Sequence, residues 1–389
     1  MLRQTMTPPD DPANTLADRR SPSQVSSMDW LGHRSLGPIE SGAVLLHAPS
    51  HAFQSPGGGE VQLARTARHL DALGVLVRPM NPWADRLEKA RILHLFGMSR
   101  EGLELAKVAQ SRGVPVVLSP ICWFEPSALA ALAGSRLKAA SALAAWGVRR
   151  AVPRVPGWRK ELFRRSDAVL PNSEAEGEQL ARLFGLDRRK LRVVPNGVEP
   201  TVLGANPEPF RALIGLDEFV LYAGRIEPRK NVLGLVKACE KTRLPLVVVG
   251  DPVPGSESYA EQCRGVPLAS VTWVPRMDAD DPLLASAFAA ARVFALPSWF
   301  ETPGLAALEA ALAGCAIVIT PFGCTREYFG NWAFYARPDR IQEISKALTE
   351  AWEAGRGRTE LAEVVHRRYL WATVARRTAE VYDEIAPTG

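Results

Sequence analysis

The chain has 389 residues, a net charge of +5 and the composition of an ordinary globular protein, 47% hydrophobic and 23% charged. This length is typical of two or three domains, and the apolar content supports large cores that need no disulfide or metal. The five cysteines form no CxxC pair, which argues against a disulfide framework, and the six histidines are scattered, which argues against a metal cluster. No apolar run reaches the roughly 18 residues of a membrane-spanning helix, which argues against a transmembrane segment.

Residues 1–40 are rich in Ser, Pro and Asp and carry no signal-peptide pattern, so they predict a disordered leader. From residue 43 onward, short apolar runs alternate with helical patterns. Helices are predicted at 59–74 and 100–113. The predicted strands of this first half are 43–49, 75–80, 91–97, 115–121, 167–173 and 191–198.

The alternation restarts after a segment with several prolines and glycines, which predicts a linker at 201–216. A helix is predicted at 231–240, and the region from about residue 338 to 385 is helical throughout. The predicted strands of the second half are 218–225, 244–250, 270–275, 293–298 and 316–320.

This pattern predicts an α/β protein with two Rossmann-like, doubly wound parallel-sheet domains that face each other across a cleft. We expect an N-terminal domain at 41–200, a C-terminal domain at 217–370, and a final helix at 371–389 that packs back on the N-terminal domain. Ligands of such sheets bind beyond the carboxyl ends of the strands. The residues that directly follow predicted strands are therefore the candidate site residues.

The sequence SPGGGE (55–60) follows the first predicted strand and opens a helix. Glycines let backbone N–H groups approach an anion, and a helix N-terminus adds positive potential. Gly58 and Gly59 are therefore candidate anion-binding residues. The pattern is not GxGxxG, and no acidic residue closes the second strand, so it matches a dinucleotide fingerprint poorly. A plain strand-to-helix turn is the alternative.

The sequence GRIEPRKN (224–231) stands at the same position in the second half. Arg225 offers a planar fork of donors and Lys230 a mobile point charge, and two such cations at a strand end suit a diphosphate. Arg229 is expected to be an ordinary surface cation. The alternative is that all of these cations simply face solvent.

The stretch SWFETPGLAALEAALAG (298–314) ends a predicted strand and begins a helix. Thr302 is the expected N-cap and Pro303 the expected first helical residue. Glu301 then lies in the cleft just before the helix, and Glu309 about two turns inside it. Surface charges on an exposed helix are the alternative for the two glutamates.

The start of this helix is also a candidate phosphate site, through the N–H groups of Gly304 and Leu305. A diphosphate-linked sugar would place its sugar near Glu301 and its ribose near Glu309. Carboxylates suit both tasks because each accepts several hydroxyl hydrogen bonds.

The sequence DADD (278–281) contains the pair Asp278 and Asp280, which would suggest a metal-dependent transferase. We reject that interpretation because Asp281 precedes Pro282 and an apolar helical run, as an N-cap does. No metal site is expected.

Residues 136–165 form a strongly basic segment, with nine cations against the single acid Glu161, a net charge of +8. Apolar residues with Trp146 and Trp158 are interleaved with the cations, a pattern that suits an anionic membrane surface. A solvated basic face is the alternative, and nucleic acid is not expected because no recognition motif accompanies the charges. The cations are Arg136, Lys138, Arg149, Arg150, Arg154, Arg159, Lys160, Arg164 and Arg165.

Five stretches of the chain, in the order in which the family has them, resemble the retaining glycosyltransferases of family four, also called glycosyl transferases group 1, which have the GT-B fold. Glu301 and Glu309, separated by seven residues, resemble the EX7E signature of that family. GRIEPRKN resembles its phosphate motif, and SPGGGE resembles its glycine-rich loop. RRSDAVLPNSEAEGEQL…LRVVPNGVE and FGCTREYFGNWAFYARP resemble the segments that join the domains and follow the nucleotide site. The resemblance covers roughly residues 43–385.

The resemblance implies transfer of a sugar from a nucleotide-diphosphate sugar to a saccharide or lipid-linked acceptor, with retention of configuration and without a metal or other cofactor. Arg225 and Lys230 would neutralise the leaving diphosphate, and Glu301 and Glu309 would hold the sugar and ribose hydroxyls. Gly58, Gly59, Gly304 and Leu305 would supply backbone donors. The base pocket would lie near Arg276 and Met277.

The sequence departs from the family at two places. Many relatives carry a histidine after the strand that corresponds to 115–121, where this chain has Cys122 and Trp123; His94 is not at that position. Thr302 and Pro303 stand where an aromatic residue or a glycine is commoner. These departures affect the acceptor side and the sugar pocket.

We therefore expect a cytoplasmic glycosyltransferase, with peripheral attachment to the inner membrane face as the role that the basic segment favours. Two other functions remain open. A sugar-nucleotide 2-epimerase of the same fold would release a free epimer, and a non-catalytic sugar-nucleotide-binding protein would bind the donor without turnover.

Overall fold

The computed structural model describes residue 31 and residues 41–54, 56–152, 157–267 and 270–387, with the backbone alone at 149 and 150. The leader expected at 1–40 lies outside these residues except for Leu31, which is buried against the core of the first domain.

The first domain is built on a five-stranded parallel sheet. Its strands are β1 (Ala43–His47), β2 (Val77–Pro79), β3 (Ala90–Phe96), β4 (Val116–Ser119) and β5 (Ala168–Val169), in the spatial order β2-β1-β3-β4-β5. Its helices are α1 (Gly58–Ala72), α2 (Arg100–Ser111), α3 (Pro126–Ala131), α4 (Arg136–Ala151), α5 (Trp158–Arg165) and α6 (Glu174–Phe184).

The strands of this sheet are buried on both faces, as helix-covered parallel strands require. Along β1, Val44 and Leu46 point into a core shared with α1, whereas Ala43 and Leu45 point into a second core shared with α2, α5 and α6. Strand alternation thus produces the doubly wound layering.

The second domain is built on a six-stranded parallel sheet with the order β11-β10-β9-β6-β7-β8. Its strands are β6 (Val220–Ala223), β7 (Leu246–Val249), β8 (Val271–Val274), β9 (Val293–Leu296), β10 (Ala316–Ile319) and β11 (Phe334–Tyr335). Its helices are α7 (Glu208–Ile214), α8 (Val232–Thr242), α9 (Glu257–Arg264), α10 (Pro282–Ala290), α11 (Leu305–Leu312), α12 (Thr325–Phe329), α13 (Ile341–Ala354) and α14 (Thr359–Arg368). Two parallel α/β domains, as the strand–helix alternation predicts, are confirmed.

Two segments differ from the sequence predictions. The segment 201–216 is more than a linker, because it contains α7, whose fully buried Phe210 packs in the second domain and whose backbone N–H donates to Ser286 Oγ at 3.1 Å. The strand predicted at 191–198 is reduced to isolated bridges at Leu191 and Val198. In the second segment, Pro195 and Gly197 interrupt regular strand pairing.

The last helix, α15 (Trp371–Ile385), packs against α1 of the first domain. The Tyr382 hydroxyl lies 2.6 Å from His94 Nδ1, and His94 Nε2 lies 3.0 Å from Ser119 Oγ. Burial lowers the pKa of His94 to about 3, so this imidazole is neutral and its role here is to anchor the helix.

The five cysteines are all free thiols. Within the residues that the structure describes, no group of three potential metal ligands is gathered, and no helix is long and apolar enough to cross a bilayer.

Candidate active site

The site begins where two neighbouring strands of the second sheet end. Lys230 follows β6 and Glu301 follows β9, and the two strands are paired. The Lys230 Nζ donates to Glu301 Oε1 at 2.7 Å, and the side chains are only 15% and 5% exposed. Burial alone would raise the pKa of Glu301, but the charges of Lys230 and Arg229 hold it below its usual range. The carboxylate is therefore ionised. Burial lowers the pKa of Lys230, and the charge of Glu301 opposes that shift.

Arg229 belongs to this cluster and is not the ordinary surface cation expected from the sequence. Its guanidinium lies over the Phe300 ring at 5.3 Å and donates to the Phe300 carbonyl at 3.3 Å. It also lies 3.0 Å from Glu227 and 3.9 Å from Glu301. The sequence offered no signal for this, because the contact depends on how the loop after β9 folds over it.

Arg225, at the start of the same loop, reaches the first domain. A Cβ built at Gly57 would lie 2.9 Å from the Arg225 guanidinium, so the bare backbone of Gly57 is what the arginine packs against. Arg225 is one-third exposed and 3.6 Å from Glu227. The glycine-rich loop of one domain and the cationic loop of the other thus meet across the cleft.

Within the glycine run, Gly57 is the residue that makes this contact, whereas Gly58 and Gly59 form the first turn of α1. A Cβ at Gly58 would lie 3.9 Å from Leu305, and a Cβ at Gly59 would lie 3.7 Å from Ile121, which are ordinary contacts. The sequence showed three consecutive glycines and no way to rank them.

The contact between Gly58 and Leu305 also brings the starts of α1 and α11 together. Both ends present N–H groups that have no partner within their helices, and each adds positive potential. Two helix N-termini therefore converge beside Arg225 and Lys230, an arrangement suited to an anion with more than one phosphate.

The start of α11 differs from the prediction. The helix begins at Leu305 with Gly304 as its N-cap, so Thr302 is not the cap and Pro303 is not its first residue; their peptide bond is cis. Gly304 has φ +93°, and a Cβ there would lie 2.9 Å from Leu296 Cδ2, so only glycine fits. Glu309 is consequently one turn inside the helix rather than two.

A third loop holds the backbone of Glu301. Its N–H donates to the Phe322 carbonyl at 3.2 Å, and its carbonyl accepts from the Cys324 N–H at 2.9 Å. A Cβ at Gly323 would overlap the Glu301 carbonyl oxygen, so this glycine permits the close approach. The position of Gly323 in the segment FGCTREYFG was the only sequence signal for this role.

Two asparagines of the first domain hold the same turn from across the cleft. Asn172 and Asn196, each in a Pro-Asn pair, donate to the Thr302 carbonyl at 3.4 and 3.5 Å. The Tyr328 hydroxyl donates to the Asn172 carbonyl at 2.5 Å and accepts from the Asn196 N–H at 3.0 Å. The two domains thus fix the turn that carries Glu301.

Glu309 lies on α11 near a second ionic cluster. Burial raises its pKa to about 7; Arg65 opposes this shift, and Glu199 and Asp280 reinforce it. Arg65, on α1, donates to Glu199 Oε1 at 2.9 Å and pairs with Asp280. Sequence reasoning missed Arg65 because a lone arginine inside an amphipathic helix gives no signal of its partners.

Arg276 and Met277 follow β8 at the carboxyl edge of the sheet, where Arg276 is exposed and Met277 packs partly on the domain core. Asp281 caps α10 by accepting from the Leu283 N–H at 2.8 Å, as the sequence predicted. Asp280 forms an ion pair with Arg65, so the DADD sequence contributes a helix cap and an ion pair.

The loop after β4 carries Cys122 and Trp123. The Cys122 N–H donates to Glu176 Oε1 at 2.7 Å, and burial raises the pKa of its thiol to about 12. Such a thiol is not a nucleophile at neutral pH. Trp123 reaches across the cleft and packs on the core of the second domain.

Two family models match the chain. Residues 209–366 match "Glycosyl transferases group 1", and residues 79–202 match "Glycosyltransferase Family 4". The first match covers the second domain with the loops of Lys230 and Glu301, and the second covers most of the first domain.

Curated relatives are similar over part of their length. A D-inositol 3-phosphate glycosyltransferase of Stackebrandtia nassauensis is 34% identical over 42% of this chain and 41% of its own. A glycogen synthase of Mycobacterium tuberculosis is 28% identical over 60% of this chain and 57% of its own. The chain spans about half the length of the curated relatives it matches.

Solved structures are similar over nearly the whole fold. A sucrose-phosphate synthase from Thermosynechococcus elongatus superimposes with a TM-score of 0.69 at 18% identity, covering 89% of this chain and 99% of the other. The Anabaena protein HepE, in complex with UDP-glucose, gives a TM-score of 0.67 at 16% identity, covering 89% of this chain and 100% of the other. At these identities the likeness concerns the fold.

Proposed function

The chain belongs to the glycosyl transferases group 1 and has the GT-B fold, and on that premise we propose that it transfers a sugar from a nucleotide-diphosphate sugar to a saccharide or lipid-linked acceptor, with retention of anomeric configuration. One observation carries the proposal: the starts of α1 and α11 converge beside Arg225 and Lys230, next to the buried carboxylate of Glu301. This arrangement offers positive potential for a diphosphate and a hydroxyl acceptor for a sugar in one place.

In this proposal, Arg225 and Lys230 neutralise the diphosphate as it leaves, and Arg229 adds a third charge to the same loop. The N–H groups of Gly304 and Leu305 bind phosphate oxygens from the start of α11. Catalysis then consists of positioning and of electrostatic stabilisation of the leaving group. Because the protein itself supplies this charge, we propose that no divalent metal or other cofactor is needed.

The remaining donor-side roles follow the same geometry. Glu301 accepts hydrogen bonds from the sugar hydroxyls, and Glu309 accepts them from the ribose hydroxyls. Gly58 and Gly59 line the phosphates from the first domain, and Arg276 and Met277 border the base. The UDP-glucose held by the Anabaena structure supports a nucleotide sugar as the donor class.

The acceptor side is proposed from the basic segment. On α4, Leu137 and Val148 are 86% and 57% exposed, and with Ala144 they recur at intervals of seven and four residues, which places them on one face of the helix. Exposed cations flank this face at Arg136 and Lys138. A helix of this kind suits an anionic lipid surface, and we propose that it holds the enzyme at the inner face of the cytoplasmic membrane.

Several cations of the basic segment do not support a membrane contact. Arg154 lies outside the described residues, as do the side chains of Arg149 and Arg150. On α5, Arg164 and Arg165 both pair with Glu161 at 2.7 Å. The membrane role is therefore assigned to α4.

Transfer of radiolabelled sugar by purified variants tests the proposed site. Glu301→Ala and Lys230→Ala are each expected to lower turnover by roughly 100-fold or more, because each removes a charge that acts on the donor. The matched control is Lys346→Ala, an exposed lysine in a surface ion pair on α13, which should leave turnover unchanged. Unchanged turnover in both site variants would overturn the site assignment.

A further inference from the structure

One guanidinium of the first domain pairs with two carboxylates from other parts of the chain and acts through its charge on a third. Arg65 is 4% exposed on α1. One of its terminal nitrogens donates to Glu199, which lies in the connection between the domains, and the other pairs with Asp280, just before α10 of the second domain. The third carboxylate is Glu309 on α11, where burial raises the pKa and the positive charge of Arg65 opposes that rise.

The two terminal nitrogens of Arg65 donate to the first two carboxylates, Glu199 and Asp280. His69 Nε2 also lies 3.0 Å from Glu199. For Glu309, by contrast, no side-chain hydrogen bond is present among the described residues. Arg65 thus stabilises a charge on Glu309 without occupying the oxygens that a ribose needs.

We propose that Arg65 is a positioning residue of the donor site, which ties the two domains together beside Glu309, favours the ionised form of that carboxylate and leaves its oxygens to the ribose hydroxyls. The inference rests on the proposed function, since it assumes that Glu309 meets a nucleotide ribose. It adds to that function a residue of the first domain on which donor binding by the second domain depends.

The charges around Glu309 determine in which direction its pKa changes when Arg65 is removed. The charges that act on Glu309 are Arg65 from α1, Glu199 from the connection and Asp280 from the loop before α10. Arg65 alone lowers the pKa of Glu309, which stands at about 7 with the arginine in place. Removing the positive charge therefore raises this pKa and reduces the ionised fraction at neutral pH.

The experiment measures donor KM and kcat for Arg65→Gln and Arg65→Lys between pH 6 and 9, with UDP-glucose and the other common nucleotide sugars as probes. For Arg65→Gln we expect KM to rise about five- to tenfold at pH 7 and by less than about twofold at pH 9, since high pH restores the carboxylate. The conservative Arg65→Lys variant should lie near wild type, and kcat at saturating donor should change little.

A matched control separates this role from simple loss of an interdomain tie. Arg91 also joins distant parts of the chain, pairing with Asp383 at 2.6 Å and with the Ala386 carbonyl at the C-terminal end of α15. Arg91→Gln should leave donor KM and its pH dependence unchanged. In a Glu309→Gln background, Arg65→Gln should add little further loss of donor affinity.

A second readout does not need a donor. Carbon-13 NMR of glutamate side chains follows the titration of Glu309 directly, with Glu309→Gln to assign its signal. The midpoint is expected near 7 in the wild type and clearly higher in Arg65→Gln. An unchanged midpoint, or a KM increase that is equal at all pH values, would contradict the inference. If the wild type binds no nucleotide sugar while the midpoint still shifts, the proposed function fails and the electrostatic role of Arg65 stands.

Discussion

The contact between Gly57 and Arg225 shows how closely single residues define this site. Arg225 must lie against bare backbone to reach the cleft, and the Gly57 N–H also donates to Glu60 Oε2 at 2.7 Å, which holds the loop at the start of α1. A side chain at position 57 would meet only the flexible end of an arginine. Such a change should therefore displace the Arg225 side chain and leave the fold intact.

Gly57→Ala is expected to lower transfer by about tenfold or more, because a displacement of about 1 Å in a catalytic group has effects of this size. The unfolding free energy should change by no more than about 1 kcal/mol. Gly157→Ala is the control, since Gly157 is also a helix N-cap, has no role in the proposed site, and a methyl group there meets open space. Steady-state kinetics and urea unfolding on both variants give the comparison, and equal activity of the two would contradict the role of Gly57.

Residue types and spacing predicted part of this site. Glu301 and Lys230 were identifiable because acids and cations that directly follow strands are unusual in apolar surroundings. Arg229, Gly57 and Arg65 were not, because each is defined by a partner far away in the sequence. Such pairings depend on how the two domains face each other, which local sequence does not encode.

At the scale of elements, the proposed diphosphate site depends on the starts of α1 and α11, whose positive potential would stand in for the metal ion of other phosphate sites. Each helix opens on glycine, at Gly58 with its cap Gly57 and at the cap Gly304, so that no side chain covers the N–H groups. Strand and helix alternation predicted both helices. Their first residues were less predictable: Gly304, with its positive φ, is the cap of α11, and the helix begins at Leu305.

Helix α4 is the element on which the proposed membrane contact depends. Leu137→Glu is expected to reduce sedimentation with vesicles of phosphatidylglycerol and phosphatidylcholine severalfold, since it places a charge in the apolar face and opposes anionic lipid. The control is Leu213→Glu on α7, which makes the same substitution at an exposed leucine of the other domain and should leave sedimentation unchanged. Wild-type binding should weaken with salt, since each cation near the surface adds about 1 kcal/mol. Vesicle binding that changes neither with salt nor with Leu137→Glu would contradict the proposed membrane contact of α4.

At the scale of the whole molecule, the two domains are joined by contacts on more than one side of the cleft. Glu327 of the second domain accepts from the N–H groups of Glu174 and Ala175 at 2.9 and 3.1 Å, capping α6 of the first. The last helix returns to the first domain through Tyr382 and His94. The sequence analysis predicted two facing domains and a last helix that packs back on the first. It carried no signal for the individual residues that make these joints, which lie about 150 or more positions apart in the chain.

Proton NMR of the anomeric region tests the central claim most directly. An α-linked nucleotide sugar is mixed with the enzyme and a panel of saccharide acceptors, and its anomeric doublet is followed in time. Loss of that doublet, with growth of a new α-glycoside doublet that Lys230→Ala abolishes, is the predicted result. A free 2-epimer without glycoside would instead identify an epimerase, and donor binding without any change in the doublet would contradict transfer altogether.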